Sequence, residues 1–151
     1  MTLLDAYTYK LQLHWSERRN GTLHSEGMPD LEFSAPTEFA GDPGKWTPEH
    51  LLVAASASCF MSTFLAIAEL SKLTVLSFSM KAYARLEKLP GEGYRFTEIT
   101  LAPEIGVVAE DEEKARKVLG KAEKNCFVNN SLKSTVQVEP QFVTAPAEVI
   151  R

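Results

Sequence analysis

A chain of 151 residues with 16 Lys plus Arg against 20 Asp plus Glu has a formal net charge of −4 and a length that fits one compact domain spanning residues 1–151. Hydrophobic residues at 44% and charged residues at 24% are globular proportions, which excludes wholesale disorder and a disulfide-dense scaffold. Mild acidity without a basic run argues against nucleic acid, because affinity for it comes mostly from Lys and Arg neutralising phosphates.

Met1 to Lys10 contain no basic stretch leading into an apolar core and a small-residue cleavage site, so a reducing cytoplasm is the expected address. Without export, the sequons Asn20-Gly21-Thr22 and Asn129-Asn130-Ser131 are chance matches on turn-forming residues. From Tyr7 to Trp15 the odd positions are Tyr7, Tyr9, Leu11, Leu13 and Trp15, and the even ones Thr8, Lys10, Gln12 and His14. That period of two predicts a half-buried strand. Glu17-Arg18-Arg19-Asn20-Gly21 is turn chemistry, and Thr22 to Ser25 and Leu31 to Ser34 continue a meander.

Thr47 before Pro48 is a helix start: a threonine hydroxyl caps orphan amides, and proline is pre-set for the first helical position. The helix is expected to run to about Lys72. Its uncharged stretch from Leu51 to Ala68 is near the lower limit for crossing a bilayer, but Ser56, Ser58, Ser62 and Thr63 dilute it and Glu49, His50 and Glu69 close on its ends. A buried helix, not a membrane span, is the reading. Leu51, Leu52, Val53, Phe60, Met61, Phe64, Leu65 and Ile67 point in all directions, which a single sheet does not cover. A second copy of the chain is the simplest cover, giving an obligate homodimer; complete wrapping within one chain is the alternative.

Thr74 to Glu87 alternates strictly, with Leu76, Phe78, Met80, Ala82, Ala84 and Leu86 on one face. Leu89-Pro90-Gly91-Glu92-Gly93 then connects a hairpin into Tyr94 to Ala102, where the apolar register shifts between Phe96 and Ile99 and predicts a bulge. After the acids Asp111-Glu112-Glu113, the residues Ala115, Val118, Leu119, Ala122 and Cys126 line one helical face. Thr135 to Val138 reads as a last strand, and Pro140 with Pro146 as a loose tail. The fold class is α+β.

The two cysteines, Cys59 and Cys126, fall on helical apolar positions, and from spacing alone two silent core cysteines are the simpler reading. No Cys-x-x-Cys occurs and His14, His24 and His50 lack ligand spacing, so no metal and no cofactor are expected. The surrounding residues change the balance. Trp46 to Phe60, WTPEHLLVAASASCF, and Ala122 to Leu132, AEKNCFVNNSL, resemble the signature segments of the OsmC/Ohr family of thiol-dependent hydroperoxide reductases. The upstream EFAGDPGKW, Glu38 to Trp46, also resembles that family, and the element order matches over nearly the whole chain.

The resemblance implies an intertwined homodimer with antiparallel sheets packed around a long central helix. It implies Cys59 as the peroxidatic cysteine, Cys126 as the resolving cysteine and Glu49 as the catalytic glutamate. Arg-Asn-Gly here is similar to the Arg-Asp-Gly of one branch, which selects Arg19 over Arg18 as the family's arginine. Phe127 stands where many members have proline. Implied partners are an organic hydroperoxide and a dithiol reductant, such as a lipoylated protein.

Chemistry asks for the same residue types. A thiol reacts as thiolate, and an ordinary cysteine has a pKa of about 8.5. Cys59 is too far inside its helix for the helix dipole, so a nearby cation is expected to favour the anion. An arginine serves, held by Glu49 through a bidentate pair. For Arg18, Arg19 and Glu49 the competing reading is a solvated turn and a helix-start acid. For the whole chain it is a noncatalytic binder of apolar ligands, or a thiol redox sensor, on the same fold. Phe60, Met61, Phe64 and Phe127 would line an apolar substrate pocket or simply fill a core.

Overall fold

The computed structural model describes residues 3–146, and the chain divides into two compact units, Met1–Leu52 and Val53–Arg151. The first unit carries an antiparallel sheet in the order β1 (Gln12–Glu17), β2 (Asn20–His24) and β3 (Leu31–Ser34). A short 3-10 turn, Thr37–Phe39, follows, and a bridge from Phe33 to Trp46 leads the chain back to the sheet. The predicted first strand is shorter than its alternation: residues 7–11 lie outside the sheet, and Tyr7, Tyr9, Leu11, Leu13 and Trp15 are all exposed. The period of two is real, but no described residue buries its apolar side.

The helix α1 (Pro48–Leu70) begins in this unit and continues into the next. Its start is the predicted cap, the His50 N–H donating to Thr47 Oγ1 at 3.1 Å. Its end falls two residues before the expected Lys72. Leu73 N–H donates to Ala68 O at 2.8 Å and Lys72 N–H to Glu69 O at 3.1 Å, with Lys72 at φ +56, a Schellman ending built on lysine where glycine is usual. By length and composition α1 could cross a membrane. Only one stripe of it, Ser56, Phe60, Phe64 and Ala68, is buried within the chain, while Met61, Leu65 and Leu70 are exposed.

The second unit is built on β5 (Gly93–Val108), which pairs antiparallel with β4 (Ser77–Leu89). The predicted bulge is present: Arg85 faces Glu98 and Leu86 faces Phe96, leaving Thr97 as the extra residue. On its other side β5 pairs in parallel with two short strands placed end to end, β6 (Thr135–Val138) against Glu98–Leu101 and β7 (Gln141–Ala145) against Glu104–Val108. This corrects the expectation of antiparallel sheets: the second sheet is mixed. It also corrects the loose tail, since residues 141–145 form a strand; residues 147–151 lie outside the described residues. Phe142 anchors β7, with the Arg116 guanidinium 4.7 Å above its ring.

Pro103, in mid-strand, is explained by the gap between β6 and β7. Leu101 O accepts from Glu139 N–H at 2.8 Å, so two residues on, the nitrogen of Pro103 faces the same side, where neither short strand pairs. The alternate residues Ile99, Leu101, Ile105 and Val107 of β5 form one core with Phe60, Phe64 and Ala68 of α1 and with Ala115, Val118, Leu119 and Ala122 of α2 (Glu112–Asn125). The amphipathic reading of α2 holds at Ala115, Val118, Leu119 and Ala122, while Cys126, expected on the same helical face, falls just past the end of the helix. A four-residue helix α3 (Phe127–Asn130) follows it directly.

Candidate active site

Cys59 lies on α1, one residue before the fully buried Phe60, and is itself half-buried. Cys126 is fully buried but is not helical: with φ −74 and ψ 109 it is the joint at which α2 ends and α3 begins. That joint is pinned to α1. The Ser56 hydroxyl, fully buried one turn before Cys59, donates to Asn129 Oδ1 at 2.6 Å, and the Asn130 N–H closes on Cys126 O at 2.9 Å. The second unit therefore brings the two cysteines near enough, as free thiols, for each to shift the other's pKa.

Their environments push them in opposite directions. Burial raises the Cys59 thiol, but hydrogen bonds from the Val128 N–H, the Cys126 thiol, the Thr63 hydroxyl and the Phe127 N–H outweigh it, and the net shift is down. The one Thr63 proton also reaches Cys59 O at 2.8 Å. Cys126 is raised, first by burial and then by its hydrogen bond to Cys59 and the charge there, against the lowering effect of the Asn129 and Val128 amides. Cys59 is thus the more acidic thiol of the pair and Cys126 the less acidic.

These donors were not foreseen. Reasoning from the α1 dipole led to a required cation, whereas the second unit itself supplies amide protons from the start of α3. The sequence carried one signal: Phe127 has the N–H that a proline there would lack. Of the four aromatic and apolar neighbours, Phe60 and Phe64 are wholly in the core, and the Phe64 and Phe78 rings pack at 5.7 Å. Only Met61 and Phe127 are exposed enough to meet a ligand.

The other candidates belong to the first unit. Arg18 and Arg19 form the turn between β1 and β2, Arg18 at φ +50. Arg18 Nη1 pairs with Asp42 Oδ1 at 2.8 Å. Arg19 is exposed and makes no ion pair with a described residue. Glu49, in the first turn of α1, is half-buried, and its Oε2 is out of solvent without a hydrogen-bond partner among the described residues. Neither arginine is paired with it. A buried carboxylate oxygen without a partner is costly, and the group it lacks is a donor such as a guanidinium. Among the described residues no cluster of three potential metal ligands occurs.

Comparison with known proteins decides the family. The family model described as OsmC-like protein matches residues 41–141, and the peroxiredoxin OsmC of Escherichia coli is 30% identical over 139 residues, covering 88% of this chain and 95% of that protein. The chain belongs to the OsmC family. Among solved structures, an OsmC-like protein of unknown function from Vibrio cholerae superposes with a TM-score of 0.82 at 23% identity, covering 89% of this chain and 99% of that one. An organic hydroperoxide resistance protein from Legionella pneumophila matches with a TM-score of 0.71 at 25% identity, covering 91% and 98%. The family is of peroxidase type by the name of its Escherichia coli member.

Proposed function

We propose that the protein is a cysteine-based peroxidase that reduces organic hydroperoxides. The observation that carries the reading is the placement of two free thiols in one unit, Cys59 on α1 and Cys126 at the joint whose Asn129 is tied to α1 by Ser56, with the Cys59 thiol lowered and the Cys126 thiol raised. Cys59 sulfur attacks the peroxide's outer oxygen, the O–O bond breaks, and the alkoxide leaves and takes a proton from solvent, leaving Cys59 as sulfenic acid. Cys126, giving up its proton, attacks the Cys59 sulfur, and water departs as the disulfide forms. A dithiol, itself oxidised to a disulfide, returns both thiols; a lipoylated protein is one such reductant. Exposed Phe127 and Met61 favour an organic over an inorganic peroxide.

Arg19 is the cation in this reading. It steadies the Cys59 thiolate and hydrogen-bonds the departing alkoxide, and Glu49, with its unpartnered oxygen, holds the guanidinium. The working form is an intertwined homodimer. Support comes from α1, buried along a single stripe, and from the exposed row Tyr9, Leu11, Leu13 and Trp15, surfaces that a second copy would cover. Two free thiols suit a reducing cytoplasm.

Stopped-flow mixing of the reduced protein with cumene hydroperoxide tests the activity. Rapid stoichiometric loss of two thiols per chain is expected. Thiols that stay inert to the peroxide would sink the proposal and leave a noncatalytic binder of apolar ligands.

A further inference from the structure

The turn that carries Arg19 is held on both sides of that residue by one carboxylate. Asp42 Oδ1 takes the Arg18 guanidinium at 2.8 Å, and Asp42 Oδ2 accepts from Asn20 Nδ2 at 2.6 Å. Asp42 is itself fixed, its N–H donating to Ser34 Oγ at 2.9 Å, and Ser34 is fully buried at the end of β3, opposite Asn20 in the sheet. Asn20 is 3% exposed, so its bond to Asp42 is shielded from solvent where the Arg18 pair is not. The approach of Asp42 depends on Gly41. A Cβ at Gly41 would overlap the Ala35 carbonyl, and the Gly41 N–H closes the bend on Pro36 O at 3.0 Å.

The backbone of the turn is tethered as well. The Trp15 indole N–H donates to Arg18 O at 3.1 Å, and Ala35 N–H reaches Arg19 O at 3.4 Å. Arg18 sits in the left-handed region, a conformation an arginine keeps only when its surroundings impose it. The turn is thus tied down on both sides of Arg19, while the Arg19 guanidinium is exposed and makes no ion pair with a described residue.

We infer that Asp42 is a positioning residue for Arg19: by gripping Arg18 and Asn20 together it fixes the turn from which the Arg19 guanidinium is presented to the reacting sulfur. The inference rests on the proposed role of Arg19. Asp42 touches neither thiol nor substrate in this role, so its removal acts only through Arg19.

The test compares wild type, Asp42→Ala, Asp42→Asn, Arg19→Ala and the double variant Asp42→Ala with Arg19→Ala, all as full chains. Two quantities are read: the rate constant of thiol oxidation by cumene hydroperoxide, and the pH midpoint of Cys59 alkylation by iodoacetamide. Asp42→Ala is expected to slow oxidation about tenfold, less than Arg19→Ala, as a misplaced catalytic group does. It should also move the pH midpoint up toward that of Arg19→Ala, which a loss of stability alone would not do. Asp42→Asn, which keeps an acceptor for Asn20 and loses the charge facing Arg18, should fall between, and it carries the test if the alanine variant does not fold. The double variant should be no slower than Arg19→Ala. Wild-type rates and midpoint in folded Asp42 variants, with Arg19→Ala slow, would overturn the positioning role and leave the proposed activity standing. Wild-type behaviour in Arg19→Ala would overturn the role of Arg19 itself, and the positioning role with it.

Discussion

Hydrogen bonds lower the Cys59 thiol, while burial and the neighbouring Cys59 raise Cys126, and in the proposed mechanism this difference assigns each thiol its role. The thiolate fraction of Cys59 at a given pH exceeds that of an ordinary cysteine, because its pKa is lowered. Its alkylation by iodoacetamide should therefore be half-maximal below the ordinary midpoint of about 8.5, with Cys126 half-maximal above it. Phe127→Pro removes one donor N–H at a helix-start position that tolerates proline, so the Cys59 midpoint should rise with little change in stability. A midpoint unmoved in that variant would mean that the Phe127 amide contributes nothing. Cys59→Ser should abolish peroxide reduction. Cys126→Ser should consume about one equivalent of peroxide per chain and then stall as the sulfenic acid or a higher oxide. Mass spectrometry of the treated variants reads this directly, and sustained turnover of Cys126→Ser with a dithiol would remove Cys126 from the resolving role.

The elements were legible where periodicity acts within one chain. The α2 face of Ala115, Val118, Leu119 and Ala122, the Thr47 cap and the bulge at Thr97 all follow from patterns that local burial enforces. Residues 141–145 were not, because a five-residue strand bounded by Pro140 and Pro146 has no independent signal and is stabilised by its parallel pairing to β5. The thiol environment was half legible. The cysteine segments pointed to both sulfurs, but the donors are backbone amides, which carry no residue-type signature, on a segment tied to α1 by the Ser56 to Asn129 bond across 73 residues. At the end of α1, Lys72 occupies a left-handed position at φ +56, a strained conformation for lysine. Lys72→Gly should relieve about 1 kcal/mol and raise the urea midpoint without altering its slope. An unchanged or lower midpoint would show that the Lys72 side chain contributes more than its backbone costs. Phe64, fully buried against Phe78, is the contrasting case: Phe64→Ala should cost about 3–5 kcal/mol by leaving a cavity under α1.

At the scale of the whole molecule, the surfaces left open by one chain and the partners missing from its polar groups point the same way. Met61 and Leu65 on α1, Leu13 and Trp15 on β1, and Leu11 just before it are apolar and exposed, while Glu49 Oε2 has no donor among the described residues. Glu49 and Cys59 lie ten residues apart on α1, about 15 Å along a helix rising about 1.5 Å per residue, so the two side chains do not meet within one helix. We propose that in such a dimer the Arg19 and Glu49 serving one Cys59 come from the second copy, with the two α1 helices passing each other. Mixing and refolding Cys59→Ser with Arg19→Ala tests this. If each site is shared, one site of the mixed dimer collects both lesions and the other is intact, so activity should return to about half of wild type per mixed dimer by counting sites. The dimers must be separated by tags on the two chains so that their formation is measured independently of activity. If they form and stay as inactive as the parent variants, each site is built within one chain, and the apolar surfaces of α1 serve association alone.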